Sequence, residues 1–348
     1  MGPGLRAILV RGLVLLVSTL FSLLLLEGLV RLVLPQYSPA GRITYHERDG
    51  VPLAPVGFDG RMWKNTGDYD VRVRINRHGF RDGRDLAQSG PADWFVVGDS
   101  FSFGHGVEEV DRFSSVLDEL LPERVFNIAI PTDLVGYQRL LDYAQARGAR
   151  IERLIVGLCM ENDLLDYDRR RERQAQARPT AGRFRPLRRL KRVLTTQSAA
   201  YNAFTAAVHH TPALREAALR VGLVRSDEEA LAGKTATPKR MQSTLRELQR
   251  LAAAHRPREL LVLVIPSRAL WLGDHQAEER SVHGHFVGIL AGAGFKVVDM
   301  SAVLEREGRP LDHHFQHDGH WNASGHRLAA EAIRACLEDG SGGTGFLP

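Results

Sequence analysis

The chain has 348 residues, 44% apolar and 25% charged, the balance of a folded globular protein and not of a disordered one. Its two cysteines, Cys159 and Cys336, exclude a disulfide scaffold and a zinc-type spacing, and in apolar surroundings they read as buried thiols. The formal net charge of +5 comes from one block, residues 169–192, with ten Arg, one Lys and one Glu; the rest is net acidic, so no affinity for nucleic acid is implied.

Residues 12–26 carry no charge, and the run continues through Glu27 and Arg31 to Pro35. The stretch between Arg11 and Arg31 is about 19 residues, or about 28 Å as a helix, near the thickness of a bilayer's hydrocarbon core. Glu27 and Arg31 share one helical face and can pair near the far interface. Arg6 and Arg11 precede the run, so the positive-inside tendency keeps the N-terminus in the cytoplasm and the rest outside. Residues 1–34 therefore read as an uncleaved single-pass anchor. The alternative is a cleaved signal peptide, for which Ser38-Pro39-Ala40 has small residues at the right spacing but lies far beyond the apolar run.

Residues 35–90, rich in Gly, Pro, Arg and Asp, read as a stalk or cover. Within them 71–75 alternate as a half-exposed strand and 76–80 form a turn. Beyond residue 91 the pattern alternates. Strands are expected at 94–97, 125–130, 154–158, 260–265 and 295–299, and helices at 110–121, 134–146, 241–254, 286–293 and 323–337. Alternating strands and helices imply a parallel sheet covered on both faces. An insertion at about 164–239 interrupts this domain of residues 91–340; its first part is the Arg-rich block and its second, 199–224, reads as helical. The block is either solvated surface or a cationic face for an anionic glycan or anionic lipid headgroups. Residues 341–348 read as a flexible tail.

The ends of the first three strands carry Gly98-Asp99-Ser100, a segment from Asn127 to Thr132, and Glu161-Asn162-Asp163. In a parallel sheet those ends share one edge, where such folds build their sites. A fourth segment, from Asp318 through His320 and Asn322 to His326, immediately precedes the last helix. A serine hydroxyl needs a base to take its proton, and His320 can be that base. Asp318 can hold the imidazole tautomer and stabilise its cation. The Ser100 backbone N–H, a backbone N–H near Thr132 and the Asn162 amide can face a developing oxyanion, with Gly98, Asp99 and Asp163 in support. Alternatively, Asn322 or Ser324 begins an ordinary helix, or the Asp312–His320 stretch binds a metal. His313, His314 and His317 read as loop residues and His326 as helix surface.

Gly98-Asp99-Ser100, Asn162-Asp163 and the Asp318/His320 block resemble the first, third and fifth sequence blocks of the SGNH (GDSL) hydrolase superfamily. The nearest likeness is to membrane-anchored bacterial members, which carry a similar element to Asn76–Asp82. The resemblance implies a three-layer α/β/α sandwich, flavodoxin-like, with a five-stranded parallel sheet. It implies a serine esterase or deacetylase acting on O-acyl esters, of carbohydrate or another small ester, with no cofactor and no metal. A polysaccharide O-acetyltransferase with the same residues and a non-catalytic glycan-binding module are the alternatives. The implied location is the bacterial inner membrane, with the domain facing the periplasm. Thr132 and Met160 stand where the family usually has glycine, and Asp318 lies two residues before the His instead of three. Asp-x-His-Trp resembles the alginate acetyltransferase type.

Overall fold

The computed structural model describes residues 3–39, 43–48, 50–176, 186–220 and 236–338. The expected tail at 341–348, and the parts of the insertion at 177–185 and 221–235, lie outside the described residues. The described residues cluster into two compact units: 3–39, 64–67 and 186–220 form one, and the remainder form the other.

The smaller unit holds the helix Pro3–Val33, longer than the uncharged run at 12–26 that announced it. Its span Ile8–Val33 has a mean hydropathy of 2.4 and is almost wholly uncovered, so it is long and apolar enough to cross a membrane by length and composition. Helices Pro186–Gln197, Ala199–His210 and Pro212–Arg220 complete the unit.

The larger unit begins with two antiparallel hairpins: β1 (His46–Arg48) with β2 (Val51–Leu53), and β3 (Asp59–Trp63) with β4 (Asp70–Arg74). The main sheet contains β5 (Trp94–Gly98), β6 (Val125–Asn127), β7 (Arg153–Cys159), β8 (Glu259–Ile265) and β9 (Lys296–Asp299). Its order is β6-β5-β7-β8-β9 and every pairing is parallel. Successive strand residues point to opposite faces, and here both faces are apolar, as parallel sheets require. Phe95, Val97, Leu154, Val156, Val262 and Val264 join a core covered by helices Leu134–Gln145, Pro238–His255 and Gln276–Gly292. Trp94, Val96, Ile155, Leu261 and Leu263 join a second core under Phe113–Leu120, Met300–Arg306 and Ala323–Glu338. The three-layer α/β/α sandwich follows.

Three local readings are corrected. The strand expected at 125–130 is only Val125–Asn127, because the Asn127 side chain turns back to accept from the Ala129 N–H at 3.0 Å. The helix expected at 286–293 begins at Gln276, where its polar first turns give no apolar period. Cys336 is half-buried, unlike the fully buried Cys159.

Candidate active site

Ser100 lies at the carboxyl end of β5, where the chain turns into the short helix Ser100–Phe103. Asp99 caps that helix, accepting from the Phe101 N–H at 3.0 Å. Gly98 is required by packing: a Cβ there would lie 2.2 Å from Ser102 Oγ and 3.0 Å from the Gly157 carbonyl on β7. The loop beyond passes through Gly104 and Gly106, both left-handed (φ +78° and +88°), with His105 carried between them.

Arg81 holds this loop in place. The guanidinium is fully buried, donating to the Gly104 carbonyl at 2.6 Å and the Val107 carbonyl at 2.8 Å. Burial, and then the nearby Arg112, lower its pKa to about 10. Asp82 Oδ2 accepts from the Asn127 N–H at 2.8 Å. The Asn76–Asp82 element is therefore a brace for the loop after Ser100 and for the end of β6.

Asp318 and His320 precede the last helix, which Asn322 caps by accepting from the Ser324 N–H at 3.0 Å and the Gly325 N–H at 3.2 Å. Across 220 residues of sequence, His320 Nε2 meets Ser100 Oγ at 2.7 Å. His320 Nδ1 faces Asp318 Oδ1, which also accepts from the His320 backbone N–H at 3.1 Å. Asp318 is buried, whereas the His320 side chain retains 21% exposure. The imidazole contacts the rings of Phe101, at 4.9 Å between centroids, and His105, at 4.4 Å.

Two contributors had no sequence signal beyond a glycine-rich turn. The Tyr69 hydroxyl sits 2.7 Å from His105 Nε2 and donates to Asp318 Oδ2 at 3.3 Å. Tyr69 lies 249 positions from Asp318 and in no motif. His105, Asp318 and His320 bring ligand-type atoms within 4.8 Å of one another. Both His320 nitrogens face protein partners, Asp318 and Ser100.

Asn162 Nδ2 donates to Asp99 Oδ2 at 2.9 Å and has the Cys159 sulfur at 3.7 Å as a weak second partner. Asp99 is fully buried, and burial pushes its carboxyl up against the opposing pull of the Asn162 amide. Asp163 is fully buried behind it, accepting from the Cys159 N–H at 2.9 Å and the Tyr137 hydroxyl at 3.1 Å. Burial and the Asp99 charge raise its pKa well above the usual range. Thr132 packs its side chain on Gly136, where a Cβ would come within 2.1 Å of Thr132 Oγ1. Met160 and Glu161 line a small cleft together with Ser267 and Glu279. His326 is a correction: instead of lying on a helix surface it is fully buried, with Nδ1 accepting from the Phe113 N–H at 3.3 Å. Burial lowers its pKa to about 3. His314 is also buried, its pKa lowered to about 4 by burial.

The fold is an α/β/α sandwich on a wholly parallel five-stranded sheet. Residues 223–345 match the family described as the SGNH hydrolase-like domain of acetyltransferase AlgX, so the resemblance to the superfamily and its alginate acetyltransferase type stands. No curated protein matches the chain. Among solved structures, a lipolytic G-D-S-L family member from Veillonella parvula is 11% identical, with a TM-score of 0.40, over 70% of this chain and 96% of its own. A catalytic mutant of the acetylxylan esterase Axe2 from Geobacillus stearothermophilus is 12% identical, with a TM-score of 0.38, over 72% and 96%.

Proposed function

We propose that the chain is an acyl-serine enzyme acting on O-acyl esters, with Ser100 as nucleophile, His320 as base and Asp318 as its orienting carboxylate. The observation that carries the reading is the 2.7 Å approach of His320 Nε2 to Ser100 Oγ, with the opposite ring nitrogen on Asp318. His320 takes the serine proton as Oγ attacks the ester carbonyl, then returns it to the leaving alcohol. The Ser100 and Thr132 backbone N–H groups are the proposed oxyanion donors, joined by the Asn162 amide when its weak hydrogen bond to the Cys159 sulfur is exchanged for the substrate. Asp99 orients the Asn162 amide, and Asp163 holds the loop that carries it. Water then completes an esterase or deacetylase cycle. The match to an acetyltransferase family favours a second reading, in which a carbohydrate hydroxyl takes the acyl group. The helix Pro3–Val33 would anchor the domain in the inner membrane, facing the periplasm, within reach of extracytoplasmic polysaccharide.

A fluorophosphonate probe is expected to label the full chain at Ser100, with no label after Ser100→Ala and strongly slowed labelling after His320→Ala. An unlabelled Ser100 in folded protein removes the enzyme reading and leaves a glycan-binding module. Acetyl from an activated ester appearing on added polysaccharide selects the transferase; acetyl found only as free acetate selects the esterase.

A further inference from the structure

The helix Pro186–Gln197 reads PLRRLKRVLTTQ. Leu187, Leu190, Val193 and Leu194 fall on one face of a 3.6-residue repeat, and Arg188, Arg189, Lys191 and Arg192 fill the positions between. Leu190 and Val193 are 54% and 45% exposed. A soluble domain ordinarily buries the apolar stripe of such a helix.

This helix is tied to the end of the apolar helix Pro3–Val33. Glu27 accepts from the Ser198 hydroxyl at 2.8 Å and from the Ala199 and Ala200 N–H groups at 2.8 and 3.0 Å. The two backbone N–H groups belong to the first turn of helix Ala199–His210, where no carbonyl of the helix itself can accept from them. Arg31 pairs with Glu27 at 2.7 Å and donates to the Gln197 carbonyl at 2.8 Å, the last residue of Pro186–Gln197. Asn202 reaches the Tyr37 carbonyl at 3.2 Å. Glu27 lies less than two turns before Val33, about 9 Å along the axis. Around it Leu26, Leu29 and Leu32 are all exposed. The basic helix is therefore fastened where a spanning segment would pass from hydrocarbon to headgroups.

We propose that Pro186–Gln197 is a membrane-surface helix, lying among the headgroups with Leu190 and Val193 in the acyl boundary and its basic residues on anionic phospholipid. The proposal rests on reading Ile8–Val33 as a membrane span. A bilayer surface supplies both things the helix presents a match for: apolar depth for the stripe and negative charge for the block. A polyanionic glycan would satisfy the charge and leave the stripe in water. Arg31 on the Gln197 carbonyl, and Glu27 on the residues just after it, hold the C-terminal end of the helix at interfacial depth.

The test uses the full chain with Leu190→Cys carrying bimane, in a Cys336→Ala background. It is placed in nanodiscs of phosphatidylcholine alone or with phosphatidylglycerol, with lipids spin-labelled near the headgroup as quencher. The bimane is expected to shift to the blue and be quenched in the anionic discs. Both effects should weaken in high salt and when Arg188, Arg189, Lys191 and Arg192 are replaced by Gln. A water-exposed, unquenched dye in both compositions, in chain that resists alkaline carbonate extraction, overturns the proposal. So does salt-sensitive binding to polygalacturonate with the dye unmoved in anionic discs. If carbonate extracts the chain, the span reading fails instead. Vesicle flotation on phosphatidylglycerol then decides: floating with a quenched dye sustains the surface helix alone, and no flotation ends it.

Discussion

Gly98→Ala tests whether the turn into Ser100 depends on space. The added methyl would lie 2.2 Å from Ser102 Oγ, 2.7 Å from Ser102 Cβ and 3.0 Å from the Gly157 carbonyl. Gly98 and Gly157 are register partners on β5 and β7, and a Cβ on Gly157 would meet the same Ser102 hydroxyl at 2.1 Å. The two glycines form a slot that the fully buried Ser102 fills, with its hydroxyl lacking a hydrogen-bond partner. Overpacking of this kind costs about 1–3 kcal/mol; with strand backbone on one side, the upper end is expected. Ser102→Ala removes a buried unsatisfied hydroxyl and is expected to be neutral or to stabilise by about 1 kcal/mol. Ser102→Gly removes both clashing atoms, so Gly98→Ala combined with Ser102→Gly should show a favourable coupling of about 1–2 kcal/mol. Denaturant unfolding of the detergent-solubilised chain supplies all four corners of the cycle. A Gly98→Ala protein within about 0.5 kcal/mol of the parent, or a coupling indistinguishable from zero, refutes the slot.

Tyr69→Phe removes the hydroxyl that bridges His105 and Asp318; kcat on an acetyl ester should fall by up to about tenfold with KM unchanged, and a rise in KM alone would contradict a positioning role. Arg81→Met leaves the Gly104 and Val107 carbonyls without their buried donor, with an expected loss of about 2–4 kcal/mol and of fluorophosphonate labelling, read by unfolding and by gel. His326, held near a pKa of about 3 by burial against an ordinary 6.5, stays neutral in the fold while the unfolded chain takes up a proton below pH 6.5. Its contribution is therefore full above that pH and falls as pH drops toward 3, by about 2 kcal/mol at pH 5. Denaturation midpoints at pH 7 and pH 5 check this, and a His326→Phe variant with an undiminished acid loss would assign the effect elsewhere.

The alternation of β5, β7 and β8 was legible because each is apolar on both faces, a composition that few segments other than a central parallel strand require. The start of Gln276–Gly292 was hidden because residues 276–281 are polar or small and mostly exposed. The edge carrying Ser100, Asn162 and His320 followed from topology, since parallel strands put their carboxyl ends together. Tyr69 and His105 were invisible for a different reason: their importance is a contact, made between segments 36 and 249 positions apart, and no local pattern encodes such a meeting. His326, expected on the surface of the last helix, is instead buried. Phe113 stacks on its ring and Trp321 meets it edge-on, and neither is adjacent in a way that periodicity detects.

Thr132 is the sharpest departure from the family pattern, and the structure shows where its bulk is accommodated. The side chain lies on Gly136 in the first turn of Leu134–Gln145, where a Cβ would approach Thr132 Oγ1 to 2.1 Å, Cγ2 to 2.5 Å and Cβ to 2.8 Å. Asp133 fixes that turn by accepting from the Val135 and Gly136 N–H groups at 3.1 and 3.2 Å, so the helix cannot yield easily and threonine must. Gly136→Ala should therefore push residue 132 and its backbone N–H out of place, slowing acyl-enzyme formation by about ten- to a hundredfold if that N–H faces the oxyanion, with only about 1–3 kcal/mol lost in stability. Thr132→Gly in the same chain removes every clashing atom and should restore the rate. The burst of alcohol released from an activated ester measures it directly. Recovery of stability without recovery of the burst would mean that residue 132 shapes the loop but contributes no donor to the reaction.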